Sequence, residues 1–182
     1  PASASARQNA IDMLRSTRNL KRLLHHLDHS IIAQDALDLR LLRAETLATD
    51  GRPQDAQRDY RTVLEREPGH FAANVNLAGI LNNDGRTREA EILVRRALVL
   101  APDAAPGWHN LTFGRLQRGE TVAALLAARV AATLDILSPV SQVNLAAAME
   151  TAGLPEVGQA LRRAVALAPD LPDAMLSMAR YR

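Results

Sequence analysis

Gly51, Gly85, Gly119 and Gly153 stand at successive intervals of 34 residues. Pro68 and Pro102 keep that interval, as do Leu47 and Leu81, Ala44 and Ala78, and Ala56 and Ala90; Leu77, Leu111 and Leu145 share one register. So many matches at one spacing leave one kind of fold, a row of like units, each too small to bury its own apolar face and each completed by its neighbours. The 182 residues accommodate about five of them.

Each period reads as two amphipathic helices joined by a turn. First helices are predicted over roughly 37–49, 71–83, 105–117 and 139–151, and second helices over roughly 53–66, 86–100, 120–136 and 155–168. A glycine falls just past each first helix, where a left-handed residue closes the turn at no steric cost. Pro68, Pro102 and Pro169 follow second helices and, lacking an N–H, stop them. Pro53, Pro139 and Pro155 stand near helix starts, where the missing donor costs nothing, and Ser138 is placed to cap the helix after it.

Small residues recur where two helices must come close: Ala44, Ala78 and Ala146 in first helices, Ala56, Ala90 and Ala124 in second ones. Their large partners are Leu77, Leu81, Tyr60 and Trp108. This alternation resembles the tetratricopeptide repeat (TPR) family. The resemblance implies an all-α, right-handed α-solenoid. Residues 1–36 would be an N-terminal helical cap or degenerate repeat, 37–70, 71–104, 105–138 and 139–171 four repeats, and 172–182 the start of a further or capping helix. Departures from the pattern are local. Ile136 stands where the third repeat would carry its proline, with Pro139 following late. The fourth repeat has lost one residue between Gly153 and Arg162, since LRRAVALAPD at 161–170 matches LVRRALVLAPD at 93–103 only after that deletion. In the N-terminal segment Ala10 and Met13 fall in register, but Thr17 replaces the glycine.

In TPR proteins the first helices line a concave groove suited to extended or helical peptides. Asn76, Asn110 and Asn144 recur there at 34-residue spacing, each directly before the repeated leucine. Asparagine is a poor choice mid-helix, because its side chain competes for backbone hydrogen bonds. Stacked in a row, carboxamides can pair with a peptide's C=O and N–H groups without reading its side chains. The row is similar to the asparagine ladder in the TPR superhelix of O-linked N-acetylglucosamine transferases, which implies a clamp on a partner chain. Leu42 breaks it in the first repeat. The alternative is that these residues only bond between repeats. Val75, Gly79, Asn82, His109, Phe113, Leu116, Val143, Ala147 and Glu150 occupy the family's other inward positions. His109 and Phe113 lie one helical turn apart beside Asn110, and Phe113 is a candidate anchor.

The helix at 120–136 is an outlier, with Arg129 as the only charge in its middle. Val122, Leu125, Leu126, Arg129 and Val130 are therefore a candidate contact with another subunit or domain. In HHLDH, His25 and His29 stand one turn apart near Asp28, but no third ligand accompanies them, so a solvated helix face is expected and no metal. Cysteine is absent, which excludes disulfides and thiolate chemistry. No phosphate-binding, dinucleotide or nucleophile-elbow motif occurs, so neither catalysis nor a cofactor is expected of this segment. The net charge is only +2, and no positive stripe runs down the linear sequence, so nucleic acid is not an expected partner.

The longest apolar run, 122–134, is too short and too charged to span a membrane. The N-terminus lacks the apolar core of a signal peptide and reads as a trimmed boundary, which points to the cytoplasm. The expected function is a protein-interaction scaffold holding a partner segment in its groove. The alternatives are the substrate-recruiting portion of a larger glycosyltransferase, sulfotransferase or hydroxylase, or a self-assembling scaffold that uses the 120–136 helix.

Overall fold

A computed structural model describes residues 19–34 and 36–181, and every regular element among them is a helix. The chain divides into two compact units, 1–77 and 78–182. Unit 1 holds α1 (Leu20–Gln34), α2 (Leu37–Thr49), α3 (Pro53–Arg66) and the start of α4 (Phe71–Asn83). Unit 2 holds the rest of α4, then α5 (Thr87–Leu100), α6 (Ala105–Gln117), α7 (Thr121–Leu134), α8 (Pro139–Thr151), α9 (Val157–Leu167) and α10 (Pro172–Tyr181).

Five of these helices keep the predicted bounds. The turn glycines explain why: Gly51, Gly85, Gly119 and Gly153 all adopt positive φ, between 67° and 76°. After each, a backbone N–H folds back on the helix, from Arg52 to Leu47 O, Arg86 to Leu81 O, Glu120 to Arg115 O and Leu154 to Met149 O, at 2.8–3.0 Å. This closure satisfies carbonyls that the helix end leaves open. Ser138 caps α8 as its position predicts, its hydroxyl accepting from the Ser141 N–H. Three second helices are shorter than their patterns, α5 by one residue, since it begins at Thr87. α7 stops at Leu134 because Asp135 leaves helical geometry (φ −134°, ψ 75°), so Ile136 and Leu137 lie in an exposed turn. α9 begins at Val157 and is 11 residues long, three fewer than α5 and α7.

In unit 1, α1 packs on α2 and α2 on α3. Leu23 and Leu27 of α1 form a buried cluster with Leu39 and Leu42 of α2. Leu42 breaks the asparagine row because α1 requires an apolar partner there. Asp59 is buried on α3, and Arg43 of α2 meets it twice, Nε at 2.6 Å and Nη2 at 2.9 Å, while also reaching Asp28 of α1 at 2.8 Å. The hydrogen bond to Asp59 is the largest influence raising the Arg43 pKa, against desolvation. The first half of the suspected N-terminal repeat, with Ala10, Met13 and Thr17, lies outside the described residues.

In unit 2 the second helices bury alanines: Ala90 and Ala97 on α5, Ala124, Ala127, Ala128 and Ala131 on α7, Ala160 and Ala164 on α9. Such helices approach closely, and their dispersion contacts are correspondingly dense. The first helices form a layer of their own, α6 packing on α8 and α8 on α10. Ala146, Val157, Ala160 and Leu161 form a cluster to which Met178 of α10 adds its side chain.

Candidate functional site

The residues that the sequence places on a groove stand on α4, α6 and α8. The three asparagines share a register and not a role. Asn76, in unit 1, hydrogen-bonds the hydroxyl of buried Tyr60. Burial pushes that hydroxyl up to about 12, and the bond from Asn76 pulls it the other way. Asn110 is half-buried, and its carboxamide lies over Gly79 of α4, where a Cβ would stand 3.7 Å from Asn110 Oδ1. Asn144 is half-buried and has no hydrogen-bond partner among the described residues. Gly79 and Asn110, moved on by one period, become Phe113 and Asn144. Phe113 is 42% exposed, and the register that sets Gly79 against Asn110 assigns Asn144 an aromatic counterpart instead of a glycine.

Two of the expected groove residues are interior. Val75 is buried. Asn82 is 1% exposed, and its Nδ2 donates to the Asn110 carbonyl at 3.0 Å. That bond ties α4 to α6 and requires Gly114, since a Cβ there would stand 2.7 Å from Asn82 Oδ1. The assignment of Asn82 to ligand binding is therefore corrected: its side chain is buried in the packing between α4 and α6. His109 is half-buried and engaged, its Nε2 lying 2.8 Å from the buried Ser141 hydroxyl on α8. Burial lowers the His109 pKa, with Asp135 opposing, so the ring is neutral at pH 7. Val143 is half-buried. Leu176 of α10, absent from the sequence candidates, holds the register of Val143 and is 56% exposed. The shared proline at the helix starts, Pro139 and Pro172, is the signal that would have found it.

Around Glu91, between α5 and α6, the charges are mutually satisfied. Glu91 accepts from Arg115 and Arg95 near 3.0 Å and from Arg118. Burial works to raise its pKa, but Arg115, Arg95 and Arg118 together hold it below the ordinary glutamate value. A cleft of about 520 Å³ lined by Arg86, Arg88, Glu89, Arg118 and Glu120 contains the pairs Arg86–Glu89 and Arg118–Glu120, which leave little charge for a small anion. His25 and His29 are exposed, His29 Nδ1 lies 2.8 Å from the His25 carbonyl, and Asp28 is paired with Arg43. Among the described residues no group of three potential ligands is placed to hold a metal. No helix among them is long and apolar enough to cross a membrane. On α7, Val122 and Leu126 are exposed with Arg129, whereas Leu125 and Val130 are half-buried.

Left-handed turn glycines closing helix pairs, with first helices packed in one layer, define a helix–turn–helix repeat protein. Residues 41–105 match the family model described as tetratricopeptide repeat. No curated protein matches the chain in sequence. Solved structures share its fold at low identity. The thermophilic TPR protein TTC0263 of Thermus thermophilus is 17% identical with a TM-score of 0.78, over 98% of each chain. MamA residues 41 to the end, from Desulfovibrio magneticus RS-1, is 16% identical with a TM-score of 0.76, over 98% of this chain and 96% of that one. YrrB, described as a TPR protein with an unusual peptide-binding site, is 16% identical with a TM-score of 0.72, over 99% and 93%. Residues 41–105 carry tetratricopeptide repeats, and the chain has the all-α TPR solenoid fold.

Proposed function

We propose that the chain is a protein-interaction scaffold that grips an extended partner segment on the first-helix layer of unit 2. The observation that carries this is the unpartnered, half-buried carboxamide of Asn144, with exposed Phe113 at the register that sets Gly79 against Asn110. A half-buried carboxamide with unused donors and acceptor is suited to a peptide bond, and an exposed aromatic ring supplies apolar contact. Val143 and Leu176 continue the apolar strip on either side of Asn144, and Asn110 begins it. Asn76 belongs to the packing of unit 1, so the open rung of the clamp is Asn144. The description of YrrB as having a peptide-binding site supports the reading by analogy of fold. The same face would serve a free-standing scaffold or the recruiting portion of a larger enzyme.

The test is to select peptides against the chain from a displayed library and measure their affinity for single variants. Phe113→Ala and Asn144→Ala are each expected to weaken binding about tenfold, or roughly 1.4 kcal/mol, with the circular dichroism unchanged. Selected peptides that bind both variants as tightly as the parent would remove the site from this face.

A further inference from the structure

The outer helices of unit 2 carry a second pattern that charge totals conceal. Arg95 on α5 and Arg129 on α7 are 34 residues apart, and Arg162 on α9 holds the same register once the single deletion is counted. Arg96 and Arg163 repeat the neighbouring register. All five are exposed. Stacked repeats set equal registers in a line, so these residues form a basic row across three successive second helices. The same face carries large aliphatic groups at helical spacing from the arginines: Ile92 (61% exposed), Val122 (75%) and Leu126 (59%).

Apart from Arg95, the row lacks countercharge. α7 and α9 contain no carboxylate. On α5, Glu89 is held by Arg86, and Glu91 is shared among Arg95, Arg115 and Arg118. Arg96, Arg129, Arg162 and Arg163 have no ion-pair partner among the described residues. Exposed aliphatic side chains set among unpaired guanidinium groups are costly on a free surface and become favourable against an anionic, partly apolar one. Guanidinium also meets carboxylate in a two-pronged geometry that ammonium cannot form.

We propose that this outer face docks an acidic protein segment carrying aliphatic side chains. Its carboxylates pair with Arg129, Arg162 and Arg163, and its aliphatic groups cover Ile92, Val122 and Leu126. None of the chain's aromatic residues stands on α5, α7 or α9, so the face lacks the stacking platforms of single-strand nucleic-acid binders and the ring anchors of membrane interfaces. A two-fold contact between copies of this face would bring arginine against arginine, which disfavours self-association through it. The docking is separate from the inner-layer site and stands without it.

The test uses the full chain and a short fluorescent peptide of alternating glutamate and leucine, followed by anisotropy. The peptide is expected to bind, more weakly as salt rises, and its affinity is expected to fall about tenfold in Arg129→Gln/Arg162→Gln and again in Leu126→Ser. Asn144→Ala, on the inner layer, is expected to leave it unchanged. Equal binding by the arginine variant, or loss of binding in Asn144→Ala, overturns the proposal. So does tighter capture of phosphatidylglycerol vesicles or duplex DNA than of the peptide in the same buffer, or a concentration-dependent dimer that Arg129→Gln abolishes.

Discussion

Asn76 and Asn144 hold one register two periods apart, yet one is a structural bond and the other an open group. The cause lies on the second helix of the preceding repeat. Tyr60 faces Asn76, and its successors at 34-residue spacing are Val94 and Ala128. Neither successor brings a hydroxyl, and Asn144 lacks the kind of partner that occupies Asn76. A repeated residue acquires its role from the residue that varies opposite it, and the shrinking series Tyr60, Val94, Ala128 is where unit 1 and unit 2 diverge.

The largest effect should come from removing the residue that makes the difference. Tyr60→Ala takes out a fully buried aromatic ring and is expected to cost about 3–5 kcal/mol in urea unfolding. A loss below about 1 kcal/mol would show that Tyr60 does not anchor unit 1. Its titration is a separate check. An acid whose folded-state pKa is raised gives stability that is complete below the unfolded value near 10 and is lost as pH climbs through about 12. With Tyr181→Phe leaving Tyr60 as the only tyrosine, the phenolate absorbance should rise close to pH 12 rather than 10.

A smaller effect separates the two asparagines themselves. Asn76→Ala leaves the Tyr60 hydroxyl buried without its partner and should cost about 1–2 kcal/mol. Asn144→Ala removes a group bonded to nothing and should cost under about 0.5 kcal/mol, while it is the variant that loses selected peptides. Equal stability losses in the two would erase the distinction.

Much of the fold is readable from glycine and proline spacing, because the left-handed turn and the missing N–H act locally and recur. The site is readable only in part. Asn110 and Asn144 are visible by register, but Asn82 looks equally inward on a helical wheel, and only the close approach permitted by Gly114 draws its side chain into the packing between α4 and α6. The arginine row on α5, α7 and α9 is concealed for another reason: summed along the chain, its charge is cancelled by carboxylates on turns and other helices. Spacing exposes it where totals do not.

The weakest of these effects concerns His109, the one ionisable group among the inner-layer candidates whose role is set by burial. Its folded-state pKa lies below the ordinary value, desolvation outweighing the pull of Asp135. A histidine depressed in this way contributes stability that is complete above the unfolded value near 6.5 and is lost as pH falls through the folded value, because the unfolded chain takes the proton first. The parent chain should therefore melt at a lower temperature at pH 5 than at pH 7. His109→Gln can still hydrogen-bond Ser141 but cannot take a proton, so part of that pH dependence should disappear. Asn76→Ala, which leaves the His109–Ser141 contact in place, should retain it in full. Superimposable pH profiles for the parent and His109→Gln would mean that the bond between α6 and α8 is indifferent to protons, and that the inner layer of unit 2 is as fixed across this range as the Tyr60–Asn76 pair of unit 1.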